Sequence, residues 1–271
     1  MDASPDHTLS PVLYFPHGGG PMPLLGDPGH RNMVDFLTGL APTLPLPEAI
    51  LVISAHWEAS QPTITSGPSP SLIYDYFGFP EESYRIRYPA PGEPALARTV
   101  HRMLTEAGIQ SRLDDQRGFD HGLFVPLKLM YPDARIPSIQ LSLVSGLDPD
   151  THVRMGRALS GLRKLNILVI GSGFSFHNMR AFFTSDPGTP DPRNEAFQQW
   201  LIDVCADEKV ARVERENALV AWETAPSARY CHPREEHLLP LHVCCGLAGS
   251  AARLVFDGEV LGKRSVALLW H

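Results

Sequence analysis

The sequence predicts a single α/β domain over residues 1–271, with a central, mostly parallel or mixed β-sheet flanked by helices. Along its 271 residues, strand-sized apolar runs alternate with segments that carry apolar residues at helical spacing. This alternation is expected for a sheet whose two faces are both covered by helices. No internal repeat, low-complexity tract or interdomain linker divides the chain.

Five apolar runs are the predicted strands of this sheet. All of them are far shorter than the stretch needed to cross a bilayer, so no membrane partner is expected. The predicted strands are Val12–Phe15, Ile50–Ser54, Ser138–Leu143, Ile167–Gly171 and Ser265–Leu269.

The segments between and after these strands supply the predicted helices and two loops. The predicted helices are Asn32–Leu40, Ala95–Ala107, His152–Lys164, Asn194–Asp203 and His237–Ala252. Proline, glycine and aspartate mark Thr184–Arg193 as a surface loop. The segment Gly67–Pro91 is a long proline-rich loop with many aromatic residues, and such loops are more often functional than connective.

Composition excludes several classes of function. A formal net charge of −7 leaves no basic stripe for a phosphate backbone, so no nucleic-acid partner is expected. The polar first ten residues contain no signal-like apolar segment, which predicts a cytoplasmic protein. The four cysteines show no CxxC spacing and are expected as reduced thiols, with Cys244 and Cys245 packing in an apolar helix.

Histidine is the unusual residue, with twelve copies. His17, His56 and His177 each follow a predicted strand at or near its carboxyl end. The carboxyl ends of the strands in an open α/β sheet line one crevice, so these side chains are expected to meet. Several neutral imidazoles around an open position suit Fe(II) or Zn(II), and the glycines beside His17 would leave room for a ligand. The pattern therefore predicts a metal site at this edge.

The other histidines differ in context. His121 lies in the turn-like "RGFDHGLFVPL" and His237 begins an apolar helical segment, so both are candidates for the same site. His232 and His242 are expected to pack, or to lie behind the metal ligands. The remaining histidines, expected at the surface or incidental, are His7, His30, His101, His152 and His271. The sequence lacks a GxGxxG phosphate loop, a GxSxG nucleophile elbow and an HExxH helix.

Six segments together resemble one family of enzymes. They read "HGGGPM", "ISAHWE", "FGFPEESYRIRYPAPG", "GFDHGLFVPLKLMYPDARIPSIQLSL", "GSGFSFHN" and "PREEHLLPLHV". In this order they resemble the class III extradiol ring-cleavage dioxygenases (LigB-like), within the branch that includes 4,5-DOPA dioxygenase. The resemblance covers nearly the whole chain. It implies a metal-dependent enzyme that opens the ring of a catechol, DOPA-like or related, with O₂.

The resemblance also assigns roles to residues. It implies that His17, His56 and His237 bind the metal, and that His177 is either an acid/base or an additional ligand. It implies that His121 faces the substrate as a second proton-transfer residue. The implied cofactor is Fe(II), although purified protein can contain Zn(II) because zinc binds nitrogen sites more tightly. The aromatic wall for a flat substrate is expected from the long loop, through Tyr74, Phe77 and Phe79.

Two departures from the family pattern and two other functions remain open at this stage. The first glycine-rich turn has one extra residue, and LigB-like relatives use a glutamate as third ligand, which draws attention to Glu235 and Glu236. A zinc hydrolase could use the same histidines to activate water. A non-catalytic metal-binding protein could also share the fold. A monomer and a homodimer are equally compatible with the sequence.

Overall fold

A computed structural model describes residues 9–184 and 191–271 of the chain. The described residues form one eight-stranded sheet in the order β4-β3-β5-β2-β6-β1-β8-β7. The strands are β1 (Val12–Pro16), β2 (Ala49–Ala59), β3 (Thr63–Thr65), β4 (Arg112–Asp114), β5 (Ser138–Val144), β6 (Ile167–Gly173), β7 (Arg253–Val260) and β8 (Lys263–Trp270).

Helices cover both faces of the sheet. The α-helices in the described part are α1 (Arg31–Leu40), α2 (Pro94–Glu106), α3 (His121–Met130), α4 (Pro149–Ala158), α5 (Met179–Thr184), α6 (Pro192–Ala206), α7 (Arg212–Val220), α8 (Ala228–Cys231) and α9 (Leu239–Ala248). Helix α4 shows why the sequence starts a helix there, since the Asp148 side chain accepts the Thr151 N–H at 2.9 Å and Pro149 occupies the first turn. None of the described helices has the length and apolar character needed to span a bilayer.

The sheet is mixed, with a parallel centre. Strands β5, β2, β6 and β1 pair in parallel, whereas β8 runs antiparallel to both β1 and β7. Alternate residues of the central strands point to opposite faces. Val12 and Tyr14 pack in one apolar core with α9, and Leu13 and Phe15 pack in the other with α1 and α3. Burial of each such side chain stabilises the fold by about 1.5–3 kcal/mol.

All five predicted strands are present, and the α/β class is confirmed. The sequence interpretation missed β3, β4 and β7, which are short or half exposed, and α3, which is apolar on nearly every face. The helix predicted over His152–Lys164 ends as an α-helix at Ala158 and continues as a 3-10 helix from Ser160. The surface loop predicted over Thr184–Arg193 falls mostly on residues 185–190, which lie outside the described residues.

Candidate metal centre

Three histidines from distant parts of the chain converge at the carboxyl edge of the sheet. His17 directly follows β1, His56 lies near the end of β2, and His237 lies two residues before α9. One nitrogen of each ring lies within 4.8 Å of the others. Two of the strand-end histidines expected to meet, His17 and His56, are therefore together, and the third member of this group is His237; His56 is inside a strand that continues beyond the predicted end.

His17 is held in one tautomer by its neighbours. Its Nδ1 lies 3.1 Å from Ser172 Oγ, and the Ser172 hydroxyl donates to the Gly122 carbonyl at 2.5 Å. Because the serine proton is used in that bond, its oxygen accepts the Nδ1–H of His17. The Nε2 atom of His17 is left with its lone pair and lies 2.8 Å from Nε2 of His56.

His56 lies where β2 departs from regular pairing. The register of β2 against β5 shifts between Ser54 and Glu58, and such a bulge re-aims the side chains within it. Nδ1 of His56 lies 3.7 Å from Asp75 Oδ2, which favours a proton on that nitrogen. The lone pair of His56 is therefore on Nε2, facing His17.

His237 is placed by a close approach between a glycine strand and a loop. A Cβ on Gly173 would lie 2.2 Å from the His237 carbonyl oxygen, so only glycine fits there. The same carbonyl accepts the Phe174 N–H at 2.9 Å and the Tyr14 hydroxyl at 3.2 Å. The His237 ring has Nδ1 2.9 Å from Glu236 Oε1, which leaves Nε2 for a ligand.

Burial keeps these three rings neutral. It lowers the pKa of His17, His56 and His237 well below the ordinary histidine value, and the neighbouring imidazoles lower the pKa of each ring further. Neutral imidazoles with lone pairs directed at one point repel each other unless a cation lies between them. The donor set therefore fits a divalent metal bound by nitrogen.

His177 lies beside this group. Its ring stacks on His237 with centroids 3.4 Å apart and 17° between the planes. Its Nδ1 lies 3.2 Å from Glu236 Oε1, and its backbone N–H donates to the Cys231 carbonyl. His177, Glu236 and His237 form a second compact set of donor atoms, so the geometry is compatible with either role expected for His177.

His121 flanks the three histidines on another side. It is the first residue of α3, and its ring centroid lies 3.9 Å from that of His56. Both its backbone N–H and its Nδ1 approach Asp75 Oδ1, at 3.0 and 2.9 Å. The helix start and the carboxylate together fix the direction of this imidazole.

Two carboxylates thus each serve a pair of histidines. Burial alone would raise the pKa of Asp75, but contacts with His121 outweigh burial and lower that pKa. The pKa of Glu236 is likewise lowered, because contacts with His177 outweigh burial. Both carboxylates are therefore charged at neutral pH. Asp75 is absent from the sequence interpretation because nothing in its local sequence marks it, whereas Glu236 stands next to a predicted ligand.

A cavity of about 720 Å³ opens above the histidines. Its wall includes the glycines of residues 18–20, Tyr76 and Phe79. Of the aromatic residues expected to contact substrate, Phe79 lines this cavity. Tyr74 instead donates its hydroxyl to the Ile86 carbonyl inside the loop, and Phe77 is 92% exposed. The ring of Tyr74 packs on those of Tyr76 and Tyr84, and Tyr74 and Tyr76 both pack on Phe124. Phe77 takes no part in these ring contacts and points outward.

His30, expected to be incidental, is part of the cavity wall. It is fully buried, its Nε2 accepts the Gly19 N–H at 2.9 Å, and its Nδ1 lies 2.7 Å from Asp27. His30 thereby holds the glycine loop beside His17. His152 is also buried rather than at the surface, and accepts the Val144 N–H.

The histidines on either side of His237 have packing roles. His232 and His242 are fully buried and bond to backbone carbonyl oxygens, as predicted. The four cysteines are free and buried, which agrees with the packing expected for Cys244 and Cys245.

Comparison with known proteins adds a consistent set of relatives. Residues 25–267 match the family described as the catalytic LigB subunit of aromatic ring-opening dioxygenase. The chain is 40% identical to a 4,5-DOPA dioxygenase extradiol of Beta vulgaris, over 81% of this chain and 82% of that protein. It is 37% identical to a protein of the same name from Escherichia coli strain K12, over 97% of this chain and 94% of that one.

A fungal relative and a solved structure cover the chain equally well. The chain is 39% identical to dioxygenase tasH of Hapsidospora irregularis, over 97% of this chain and 86% of that protein. The crystal structure of an uncharacterised protein from Escherichia coli K12 superposes with a TM-score of 0.78 at 30% identity, covering 97% of this chain and all of that one.

Proposed function

Because the chain belongs to the LigB family of aromatic ring-opening dioxygenases and is a non-haem extradiol dioxygenase, we propose that its substrate is a catechol bound at His17, His56 and His237. The observation that carries this proposal is the presence of two further histidines on the same cavity. His121 and His177 each face it beside a carboxylate, an arrangement that metal storage does not require.

The three neutral imidazoles would hold Fe(II) on one side and leave the cavity side open. When bound, Fe(II) supplies chelation of the two substrate oxygens and activation of O₂. Zn(II) would fit the same nitrogens and is expected to compete for them in purified protein. A zinc hydrolase needs only one base beside a bound water, so the second histidine–carboxylate pair would have no role in that reaction.

Proton transfer would fall to the chain's own residues. Glu236 holds Nδ1 of His177, so Nε2 of that ring is the atom available to take a proton from a catechol hydroxyl. Asp75 Oδ1 lies 2.9 Å from Nδ1 of His121, which favours a proton on that nitrogen and leaves Nε2 to return a proton on the other side.

The test is anaerobic loading with Fe(II) or Zn(II), followed by addition of O₂ and a panel of catechols. We expect O₂ uptake and a yellow ring-opened product with iron only, and loss of both in His56→Ala. His101→Asn is a matched control, because His101 lies on α2 and bonds to Ser111, and neither residue lines the cavity. Turnover with zinc in the absence of O₂ would support the hydrolase instead.

The two roles open for His177 predict different results for His177→Asn. If the ring acts in proton transfer, kcat falls by about 10²–10⁴-fold and the Kd for Fe(II) changes little. If the ring is a metal ligand, the Kd for Fe(II) rises in step with the loss of activity. Titration of the variant with Fe(II) under anaerobic conditions separates the two.

A further inference from the structure

We propose that the catechol taken by this cavity carries an apolar, uncharged substituent, and that catechols bearing a carboxylate, such as DOPA and protocatechuate, bind poorly. This inference rests on the proposed catechol cleavage and adds the class of substituent. It follows from the size of the cavity, the side chains along its wall and the charges around it.

The cavity is much larger than the reacting ring. Its volume of about 720 Å³ is typical of pockets that enclose a drug-sized ligand, which are roughly 300–1,000 Å³. A bare catechol fills only a small part of such a space. The five histidines share the lining with the glycine turn, with α5 and with the turn between β7 and β8, so the cavity extends past the metal centre and offers room for a substituent.

Most of the larger side chains that line the cavity outside the metal centre are apolar. Phe182 and Phe183 belong to α5, and Phe183 remains 80% exposed while lining the cavity. Met179, at the start of the same helix, is 52% exposed and also lines it. An exposed apolar rim is a feature of sites that bind apolar ligands. The other apolar wall residues are Met22, Phe79, Phe174 and Leu261.

The charges around the cavity disfavour an anionic substituent. In the described ranges, no lysine or arginine lines the cavity, and residues 1–8 and 185–190 contain neither residue type. Arg180 follows Met179 but is exposed and outside the lining. Among the described lining residues Asp27 is the one carboxylate, and it lies 2.7 Å from His30. A substrate carboxylate would therefore meet no lysine or arginine along this wall, and withdrawing it from water without a cationic partner is costly.

The experiment measures equilibrium binding to the Fe(II)-loaded protein without O₂, so that no turnover occurs. The probes are 4-methyl-, 4-propyl- and 4-pentylcatechol, with DOPA, protocatechuate and dopamine for comparison. We expect the Kd to fall about three- to fourfold per added methylene, since each buried CH₂ contributes about 0.8 kcal/mol. We expect DOPA and protocatechuate to bind at least tenfold more weakly than 4-propylcatechol.

Two exposed phenylalanines provide a matched pair of variants. Phe183→Ala is expected to make the Kd depend less on the length of the alkyl substituent. Phe77→Ala is expected to leave that dependence unchanged, because Phe77 is outside the cavity wall. A gain-of-function variant complements them. Leu261→Arg would place a cation on the wall. We expect this variant to bind protocatechuate with a lower Kd, and 4-pentylcatechol with a higher Kd, than the wild type.

The outcomes separate this inference from the proposed function. Equal affinity for all probes, or tighter binding of DOPA, protocatechuate or dopamine than of the alkyl series, would overturn the apolar substituent and leave catechol cleavage standing. Failure of every catechol to bind the iron-loaded protein would overturn both. An alkyl dependence that survives in Phe183→Ala and Leu261→Arg would show that the substituent lies elsewhere, and would also overturn the inference.

Discussion

At the scale of residues, shared carboxylates organise the site. Glu236 contacts Nδ1 of both His177 and His237, and Asp75 lies beside both His121 and His56. Each acid therefore connects one candidate metal ligand with one candidate proton-transfer residue. Contacts of this kind orient ligands and commonly contribute 10–100-fold to metal affinity or activity.

Two adjacent glutamates allow this arrangement to be tested. Glu236→Gln removes the charge that holds two imidazoles, and we expect about 10–100-fold loss in Fe(II) affinity or in kcat. Glu235→Gln is the matched control, because Glu235 pairs with Arg229 and contacts neither ring. Anaerobic Fe(II) titration and O₂ uptake would measure both variants. Equal effects at the two positions would argue against the bridging role.

The sequence predicts the histidines of the site but not the residues that support them. His17, His56 and His177 were visible because they follow apolar runs, whereas Ser172 and Asp75 act on histidines far away in the chain. No local pattern reports a contact of that kind. Tyr74 and Phe77 were expected at the cavity because they are aromatic, and composition does not tell which way a ring points.

At the scale of elements, the glycines of β6 allow the segment before α9 to reach the centre. Gly171 lies against the Pro240 carbonyl and Gly173 against that of His237, closer than any Cβ allows. The strand thus acts as a flat surface on which the end of a loop rests. The position of His237 therefore depends on this contact.

Gly173→Ala is expected to displace His237 and to destabilise the protein by about 1–3 kcal/mol, since the new methyl would overlap the carbonyl oxygen. Metal affinity should fall with it. Gly39→Ala in helix α1 is the control, because a Cβ at Gly39 meets nothing within 4 Å. This change should raise the free energy of unfolding by up to about 1 kcal/mol, since alanine favours the helix more than glycine does. Urea unfolding and Fe(II) titration would check both. Unchanged metal binding in Gly173→Ala would contradict the role of this contact.

Elements with a clear pattern of apolar residues were predictable from the sequence, and short or uniformly apolar elements were not. Four of the five predicted strands are nearly continuous apolar runs and β5 alternates polar and apolar residues, but β3 and β4 have three residues each and owe their form to pairing with neighbours. Helix α3 begins at His121 and is apolar nearly all round, so it shows little helical periodicity in sequence. Tertiary contacts decide such segments.

At the scale of the whole molecule, buried histidines make stability depend on pH. Burial lowers the pKa of His242 to about 4 and that of His232 to about 3. The unfolded chain binds these protons near pH 6.5, so the native state is fully stable above that pH and loses stability as pH falls towards 4. For His242 the stability lost between pH 6.5 and pH 4 amounts to about 3 kcal/mol, since one pH unit is worth about 1.4 kcal/mol.

We therefore expect the free energy of unfolding of His242→Gln to depend less steeply on pH between about 6.5 and 4 than that of the wild type. The variant loses a buried hydrogen bond to the Leu219 carbonyl and should start from a lower value at pH 7. Urea unfolding across this range, at constant metal content, measures both slopes. Parallel curves would show that protonation of His242 does not contribute.

The position of β1 between β6 and β8 has a consequence for biosynthesis. Strand β1 is made before either of its partners, since its parallel partner β6 follows about 150 residues later in the chain and its antiparallel partner β8 later still. Both edges of β1 stay unpaired until those strands have been made, and His17 is separated from His237 over the same interval. A metal that needs all three imidazoles can therefore be bound only after residue 237 has been made and the sheet has closed around β1.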